Sequence, residues 1–194
     1  MLKLIGFYDY TVILTYLSLF SAVFGIVFAS RGAFTAAILC LMMSGVCDAF
    51  DGAVARSKKN RTEDEKSFGI QLDSICDVIS FGLAPALLCY FMGVDGFVGL
   101  LLVFLYSLCA VIRLAFFNVL EMNRQKAEGG SNKVYRGLPV TAISMIFPLV
   151  YLLRAVVPEA VFVVALHIML GVVAFLFILD FAVKKPNWDK LLKH

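Results

Sequence analysis

Charged residues are scarce in this chain, and their scarcity excludes several classes of protein. Only 16% of its 194 residues are Asp, Glu, Lys or Arg, while 61% are hydrophobic. A soluble domain averages about 25% charged and about 45–50% apolar residues, so this composition argues against a water-soluble globule. Intrinsic disorder is excluded too, because it requires high charge and low hydrophobicity. One membrane span takes about 20 apolar residues, so several spans would leave no room for a separate soluble domain.

Paired cysteines, basic runs interleaved with aromatic residues, and internal repeats are also missing. The five cysteines lie in apolar stretches and none forms a Cys-x-x-Cys pair, which argues against a disulfide framework and against a zinc site. No basic run is interleaved with aromatic residues, so the sequence predicts no nucleic-acid partner. No repeat and no inverted pair of broken helices is visible, which counts against a secondary transporter.

Long hydrophobic runs, separated by short Gly, Pro or charged stretches, are the main feature present. They predict an all-α, polytopic membrane protein with six transmembrane helices. The predicted spans are residues 11–29, 33–55, 67–92, 97–120, 138–157 and 160–183. We expect one catalytic domain over residues 1–194, with a juxtamembrane segment at 1–9 and a tail at 184–194.

Positive charge is distributed unevenly between the two sides of these spans. Of the 17 Lys and Arg residues, only Arg31 and Arg154 lie on one side, and Arg113 lies inside the fourth span. Lys and Arg accumulate in cytoplasmic loops. We therefore predict a multi-pass protein of the cell (inner) membrane whose termini, long polar loops and active site face the cytoplasm.

Four aspartates occupy the neighbouring ends of the second and third predicted spans. Asp48 and Asp51 precede the charged loop, and Asp73 and Asp77 follow it. An aspartate at the centre of a span costs about 2.5–3.5 kcal/mol on an insertion scale, so such a cluster requires compensation. Spacings of three and four residues place each pair on one helical face.

The charged loop between these spans predicts a helical hairpin. Residues 62–65 (Thr-Glu-Asp-Glu) read as a capping box, so the third helix is expected to begin before its hydrophobic run. A turn midway between the two pairs would set Asp51 opposite Asp73 and Asp48 opposite Asp77. The hairpin would then present four carboxylates in two layers.

Four adjacent carboxylates cannot all stay ionised unless protons or cations compensate them. Oxygen-only ligands select hard cations such as Mg²⁺ or Mn²⁺, and two such ions could clamp a phosphoryl group during in-line displacement. Arg56 could neutralise a phosphate, and Gly52, Ala55 and Gly69 would leave space for a bulky ligand. A proton or cation pathway, or structural pairing with Lys and Arg, are the alternatives.

The acidic segment follows a specific pattern. It reads Asp48-x2-Asp51-Gly52-x2-Ala55-Arg56-x12-Gly69-x3-Asp73-x3-Asp77. This pattern resembles the signature of the CDP-alcohol phosphotransferase family. The gap between Arg56 and Gly69 is longer than the usual spacing in that family, and the additional residues fall in the charged loop, where an insertion costs little.

The resemblance implies a six-helix membrane enzyme, usually a homodimer, in which an alcohol hydroxyl attacks a CDP-linked lipid and displaces CMP. It implies two divalent ions, Mg²⁺ or Mn²⁺, held by the four aspartates Asp48, Asp51, Asp73 and Asp77. Asp77 and Asp73 would be the catalytic residues, with Asp77 acting as the general base or lying beside it. The implied contacts of the CDP moiety are Asp48, Gly52, Ala55, Arg56 and Gly69.

Four further segments resemble the phosphatidylserine synthase branch of that family: residues 68–74, 80–86, 113–118 and 136–140. This implies CDP-diacylglycerol and L-serine as substrates in a lipid membrane. Arg113 is the one basic residue inside a span and needs an anionic partner. It could hold the serine carboxylate or a lipid phosphate, or it could pair with one of the aspartates.

Two more residues are candidates for binding serine or the lipid phosphate, namely Asn118 and Arg136. Arg113 and Asn118 are five positions apart, so they are not expected to share a face of a regular helix. Other acceptors remain open in the sequence, among them glycerol 3-phosphate, an inositol phosphate and choline. A cation- or proton-conducting protein is the alternative from another functional class.

Overall fold

The computed structural model describes residues 5–58, 60–126 and 134–184 of the chain. The α-helices in these ranges are α1 (Ile13–Ser30), α2 (Phe34–Ser57), α3 (Glu63–Asp77), α4 (Ala84–Phe91), α5 (Phe97–Lys126), α6 (Ile143–Leu152) and α7 (Glu159–Ile178). Short helical segments adjoin them: 3₁₀ turns at Tyr10–Val12, Val140–Ala142 and Leu153–Ala155, and a π-helix at Val78–Leu83. Two strands, β1 (Val134–Arg136) and β2 (Ala182–Lys184), pair antiparallel.

Five helical stretches of the described residues are long and apolar enough to cross a membrane. They are Tyr10–Ser30, Phe34–Ala55, Glu63–Phe91, Phe97–Leu120 and Glu159–Ile178. The predicted span 138–157 is a shorter apolar helix, Val140–Ala155. Its central part, α6, contains Pro148 and both of its ends are 3₁₀ turns. Each of the six predicted hydrophobic segments therefore forms a helix, but the fifth, Val140–Ala155, is shorter than the other five.

The end of the last predicted span is wrong. The sequence predicts a helix to residue 183, whereas α7 ends at Ile178 and the chain continues in extended form into β2. Residues 181–183 are apolar and therefore extend the hydrophobic run, but here they pair with the segment before α6, where the Gly137 N–H donates to the Phe181 carbonyl at 2.7 Å. Within the described residues the fold is thus helical apart from this two-stranded ribbon, and most of the predicted tail 184–194 lies outside those residues.

A capping box begins α3, as the sequence predicts. The Glu65 backbone N–H donates to the Thr62 hydroxyl, and the Glu65 carboxylate accepts from the Thr62 N–H at 2.8 Å. Lys58 joins this turn to the start of the chain, because its ammonium contacts the Asp9 carboxylate at 2.7 Å and the Glu65 carboxylate at 3.0 Å. Asp9 in turn caps the first helical turn through the Thr11 N–H at 2.8 Å.

Small side chains bring α1 and α2 close together. The hydroxyls of Ser18 and Ser44 hydrogen-bond at 2.7 Å, and the Ser21 hydroxyl donates to the Cys40 carbonyl at 2.8 Å. Such residues let membrane helices approach closely. All five cysteines lie in the described ranges as free thiols, in agreement with the lack of paired cysteine motifs.

A π-helix follows Asp77 and fixes how α3 meets α5. A π-turn displaces backbone carbonyls from the regular helical ladder, and α5 supplies donors for two of them. The Tyr106 hydroxyl donates to the Phe81 carbonyl at 2.8 Å, and the Ser107 hydroxyl donates to the Gly82 carbonyl at 3.2 Å. Both Tyr106 and Phe81 are fully buried. This contact sets the register that brings the middle of α5 opposite Asp77.

Candidate active site

The four aspartates of α2 and α3 meet in one place. The carboxyl groups of Asp48 and Asp77 hydrogen-bond to each other, and so do those of Asp51 and Asp73. These are the two opposed pairs that the helical hairpin predicts. Asp77 is buried, and the other three are half-buried.

Three of these carboxylates are placed to share a ligand. One oxygen from each of Asp48, Asp73 and Asp77 lies within 4.8 Å of the other two. Asp51 is outside this trio but contacts it through Asp73, and the Thr15 hydroxyl of α1 donates to Asp51 at 3.4 Å. The structure thus brings all four predicted metal ligands together, three of them around a common point.

The donor set of this cluster fits a divalent cation. Within the part of the chain that the structure describes, no group hydrogen-bonds to the buried Oδ1 atom of Asp73. A buried carboxylate oxygen without a partner is costly, and a cation would satisfy it. Carboxylate oxygens alone are the ligands that Mg²⁺ and Mn²⁺ prefer.

A cavity of about 340 Å³ opens beside the cluster, between α3, α5 and the segment that precedes α6. Its polar lining consists of Asp73, Ser74, Asp77, Arg113, Asn118 and Thr141. Two of the four clustered aspartates therefore also face a space large enough for a small molecule. Small-molecule sites usually enclose about 300–1,000 Å³, so this cavity suits a small polar ligand.

Arg113 is held firmly in the cavity wall. Its side chain is buried, its Nε–H donates to the Leu138 carbonyl at 3.3 Å, and its guanidinium lies 4.1 Å from the centre of the Phe117 ring. Asp180, just beyond α7, interacts with it electrostatically. Arg113 is expected to need an anionic partner, and Asp180, which lies outside the predicted aspartate cluster, is one. The sequence places Asp180 inside the last predicted span, so it was not a candidate partner.

Gly137 makes this arrangement possible. Its φ of +69° is in the left-handed region, which favours glycine, and a Cβ atom there would lie 2.9 Å from the Leu179 carbonyl oxygen and 3.2 Å from the Arg113 guanidinium. A larger residue would therefore push the loop before α6 away from the segment after α7. The sequence does not predict a role for Gly137 at the site, because that role depends on its positive φ, which a sequence does not show.

Arg113 and Asn118 line the same cavity, although their spacing of five residues predicts that they do not share a helical face. Leu114 and Phe117 line it as well. Positions 113 and 117 form one row on the surface of α5 and positions 114 and 118 form the next, so the cavity covers two adjacent rows. The Ser74 hydroxyl donates to the Asn118 side-chain oxygen at 2.7 Å, which connects α3 to α5 at the cavity's edge.

The structure describes the side chains of only some of the residues predicted to contact the CDP moiety. Gly52 and Ala55 are half-buried on α2. The backbones of Arg56 and Arg136 lie in α2 and β1, but their side chains fall outside the described part of the chain. Gly69 lies on the same face of α3 as Asp73 and Asp77, and the Arg61 guanidinium packs directly against it.

Comparison with known proteins identifies relatives of this chain. Residues 10–182 match the family model for CDP-alcohol phosphatidyltransferase. An archaetidylserine synthase of Methanothermobacter thermautotrophicus is 34% identical over 151 residues, covering 77% of this chain and 60% of the relative. A CDP-diacylglycerol–serine O-phosphatidyltransferase of Helicobacter pylori is 33% identical over 138 residues, covering 70% and 54% respectively.

A third relative comes from Saccharomyces cerevisiae. The CDP-diacylglycerol–serine O-phosphatidyltransferase of Saccharomyces cerevisiae is 34% identical over 116 residues, covering 58% of this chain and 41% of the relative. The chain thus spans about half the length of the curated relatives it matches. Together with the apolar helices, the family match makes this chain a multi-pass membrane protein.

Proposed function

The chain belongs to the CDP-alcohol phosphatidyltransferase family, and from this premise we propose that it transfers the phosphatidyl group of CDP-diacylglycerol to the hydroxyl of L-serine. The products are phosphatidylserine and CMP. One observation carries the proposal: Asp77 belongs to the acidic cluster and also lines the cavity that contains Arg113. Three groups that the reaction needs would therefore adjoin one cavity: Asp77 as the proton acceptor, the acidic cluster as the cation site, and Arg113 as the group that binds a carboxylate.

The acidic cluster would hold the diphosphate side of the reaction. Asp48, Asp51, Asp73 and Asp77 are the residues that would bind two divalent cations, Mg²⁺ or Mn²⁺. When bound, such cations supply positive charge that stabilises the diphosphate and the departing CMP. Gly52, Ala55 and Arg56, on the same helix as Asp48, would contact the CDP moiety.

The cavity would hold the acceptor alcohol. Arg113 binds the serine carboxylate through its planar guanidinium, and Asn118 lies within the same wall to orient the amino acid. The serine hydroxyl then faces Asp77, which takes its proton as the oxygen attacks the phosphatidyl phosphorus. The bond between that phosphorus and the bridging oxygen breaks, and CMP leaves with its electron pair.

The names of the relatives support serine as the acceptor, since two of the three are named for serine phosphatidyl transfer. Neither the other acceptors considered from the sequence nor a cation pathway receives support from them. Purified protein with radiolabelled CDP-diacylglycerol and a panel of L-serine, glycerol 3-phosphate, an inositol phosphate and choline tests the proposal. We expect CMP release and a new labelled lipid with serine; release with another acceptor alone would contradict the assignment.

We further propose that the protein is a homodimer of the cell (inner) membrane whose active site faces the cytoplasm. The concentration of Lys and Arg near the acidic cluster supports this orientation. A cysteine introduced at exposed Ser57, in a variant without the native thiols, should react with an impermeant maleimide only from the cytoplasmic side. Labelling from the opposite side would contradict the orientation, and a purified protein with the mass of one chain would contradict the dimer.

A further inference from the structure

Three cations lie among the described residues from Lys58 to Lys66, and two of them are paired with acids. Lys58 bridges Asp9 and Glu65, and Lys66 contacts Glu63 at 2.7 Å. Arg61 differs from both. Its Nη2 atom donates to the Glu65 backbone carbonyl at 2.9 Å, and within residues 5–58, 60–126 and 134–184 no carboxylate forms a salt bridge with it.

The Arg61 guanidinium is also incompletely satisfied. The residue is half-buried, and its Nε atom is buried without a hydrogen-bond partner among the described residues. A buried donor of a charged group is rarely left without an acceptor, because desolvation then goes uncompensated. Among the described residues, Arg61 therefore has neither a counter-ion for its positive charge nor an acceptor for its Nε–H. An anion supplied from outside the fold would satisfy both.

The position of Arg61 indicates which anion this is. The Nη2 atom lies 2.6 Å from the point that a Cβ atom on Gly69 would occupy, so the guanidinium rests on bare backbone. Gly69, Asp73 and Asp77 follow one another at intervals of four residues on one face of α3. The guanidinium therefore stands on the face that carries two of the clustered aspartates, about 6 Å along the helix from the level of Asp73.

We propose that Arg61 binds a phosphate of the cytidine nucleotide donor and so belongs to the donor site. This assignment rests on the proposed function. A diphosphate held at the acidic cluster would reach toward Gly69, and a guanidinium can bind two phosphate oxygens at once. Arg61 is not part of the lining of the cavity that contains Arg113, so it serves the donor and not the acceptor. The loop that lengthens the acidic motif would thus contribute a binding residue of its own.

Binding of CMP and CDP to the purified wild-type protein, measured by calorimetry with Mg²⁺ present, tests this assignment. Arg61→Gln is the informative variant, because it removes the positive charge and keeps a polar side chain. Arg61→Lys keeps the positive charge but loses the planar guanidinium that can bind two phosphate oxygens at once. Lys66→Gln is the matched control: it removes the same charge from the same region, at an exposed ion pair.

We expect Arg61→Gln to raise the dissociation constant of CMP and the KM for CDP-diacylglycerol about 10- to 150-fold, the range of a hydrogen bond to a charged group. Arg61→Lys should fall between it and the wild type, and Lys66→Gln should match the wild type. The KM for serine and the thermal midpoint should stay unchanged in all three.

Three results would overturn the assignment in distinguishable ways. If the wild type binds CMP and Arg61→Gln binds it equally well, the residue has no part in the donor site while the proposed function stands. If the wild type binds neither CMP nor CDP and releases no CMP, the proposed function itself fails and the assignment fails with it. A loss of thermal stability in Arg61→Gln, without a change in CMP affinity, would assign the residue a structural role only.

Discussion

Replacing Arg113 by lysine isolates what the guanidinium contributes to the acceptor pocket. The substitution keeps a positive charge, so Asp180 retains a cationic partner. It removes the Nε–H that donates to the Leu138 carbonyl and the planar group that lies 4.1 Å from the Phe117 ring centre. An ammonium on a flexible chain cannot bind both oxygens of a carboxylate in the fixed geometry of a guanidinium. The loss should therefore fall on the acceptor.

The magnitude follows from the contact that is lost. A hydrogen bond to a charged group contributes about 1.5–3 kcal/mol, and about 1.4 kcal/mol changes an equilibrium constant tenfold. If lysine forfeits one of the two hydrogen bonds to the serine carboxylate, the KM for serine should rise by about 10- to 150-fold. The KM for CDP-diacylglycerol should stay near that of the wild type, because Arg113 faces the cavity and not the charged loop.

Initial rates of CMP release, measured against serine at saturating donor and then against donor at saturating serine, separate the two constants. Arg154→Lys is the matched control, since Arg154 also lies over an aromatic ring, that of Phe34 at 4.9 Å, but is exposed and far from the cluster in the chain. A rise in the donor KM with no change for serine would refute the reasoning. Arg113 would then hold the lipid phosphate.

Three other predictions concern the base, the loop at the cavity and the start of the chain. Asp77→Asn should lower kcat about 10²- to 10⁴-fold with little change in the thermal midpoint, and unchanged turnover would remove its role as base. Gly137→Ala should destabilise the protein by about 1–3 kcal/mol, as expected for a strained left-handed residue; an unaltered midpoint would contradict the tight contact there. Hydrogen bonds from Lys58 and Thr11 lower the pKa of Asp9 to about 2. The ionised Asp9 carboxylate therefore stabilises the folded protein fully at a pH above its ordinary pKa of 3.8, and this contribution is lost as the pH falls through about 2. Asp9→Asn should therefore lower the midpoint at neutral pH and match the wild type near pH 2; a difference that persists there would contradict an ionic origin.

Local chemistry explains the parts of the fold that could be predicted from the sequence. The capping box at Thr62 forms because its donors and acceptors lie within three residues of each other, and the pairing of Asp48 with Asp77 follows from helical periodicity and a short connection. Both depend on neighbours along the chain. The clustering of the four aspartates was therefore predictable without knowledge of any other helix.

The remaining features depend on contacts between distant segments. The π-helix after Asp77 requires donors from α5, and the end of α7 at Ile178 depends on pairing with residues near 136, neither of which leaves a local signal. Asp180 and Arg61 were overlooked for the same reason. Asp180 interrupts a hydrophobic run that otherwise continues to residue 183. Arg61 lies in a charged loop, where nothing in the sequence distinguishes it from the neighbouring cations.

Binding of Mn²⁺ to the purified protein, followed by electron paramagnetic resonance, tests the central claim that the aspartates of α2 and α3 form one cation site for phosphatidyl transfer. The account predicts saturable binding of about two ions per chain, clearly weaker binding in Asp73→Asn, and loss of CMP release on chelation that added Mg²⁺ or Mn²⁺ restores. Full CMP release from protein shown to be free of divalent ions would contradict it.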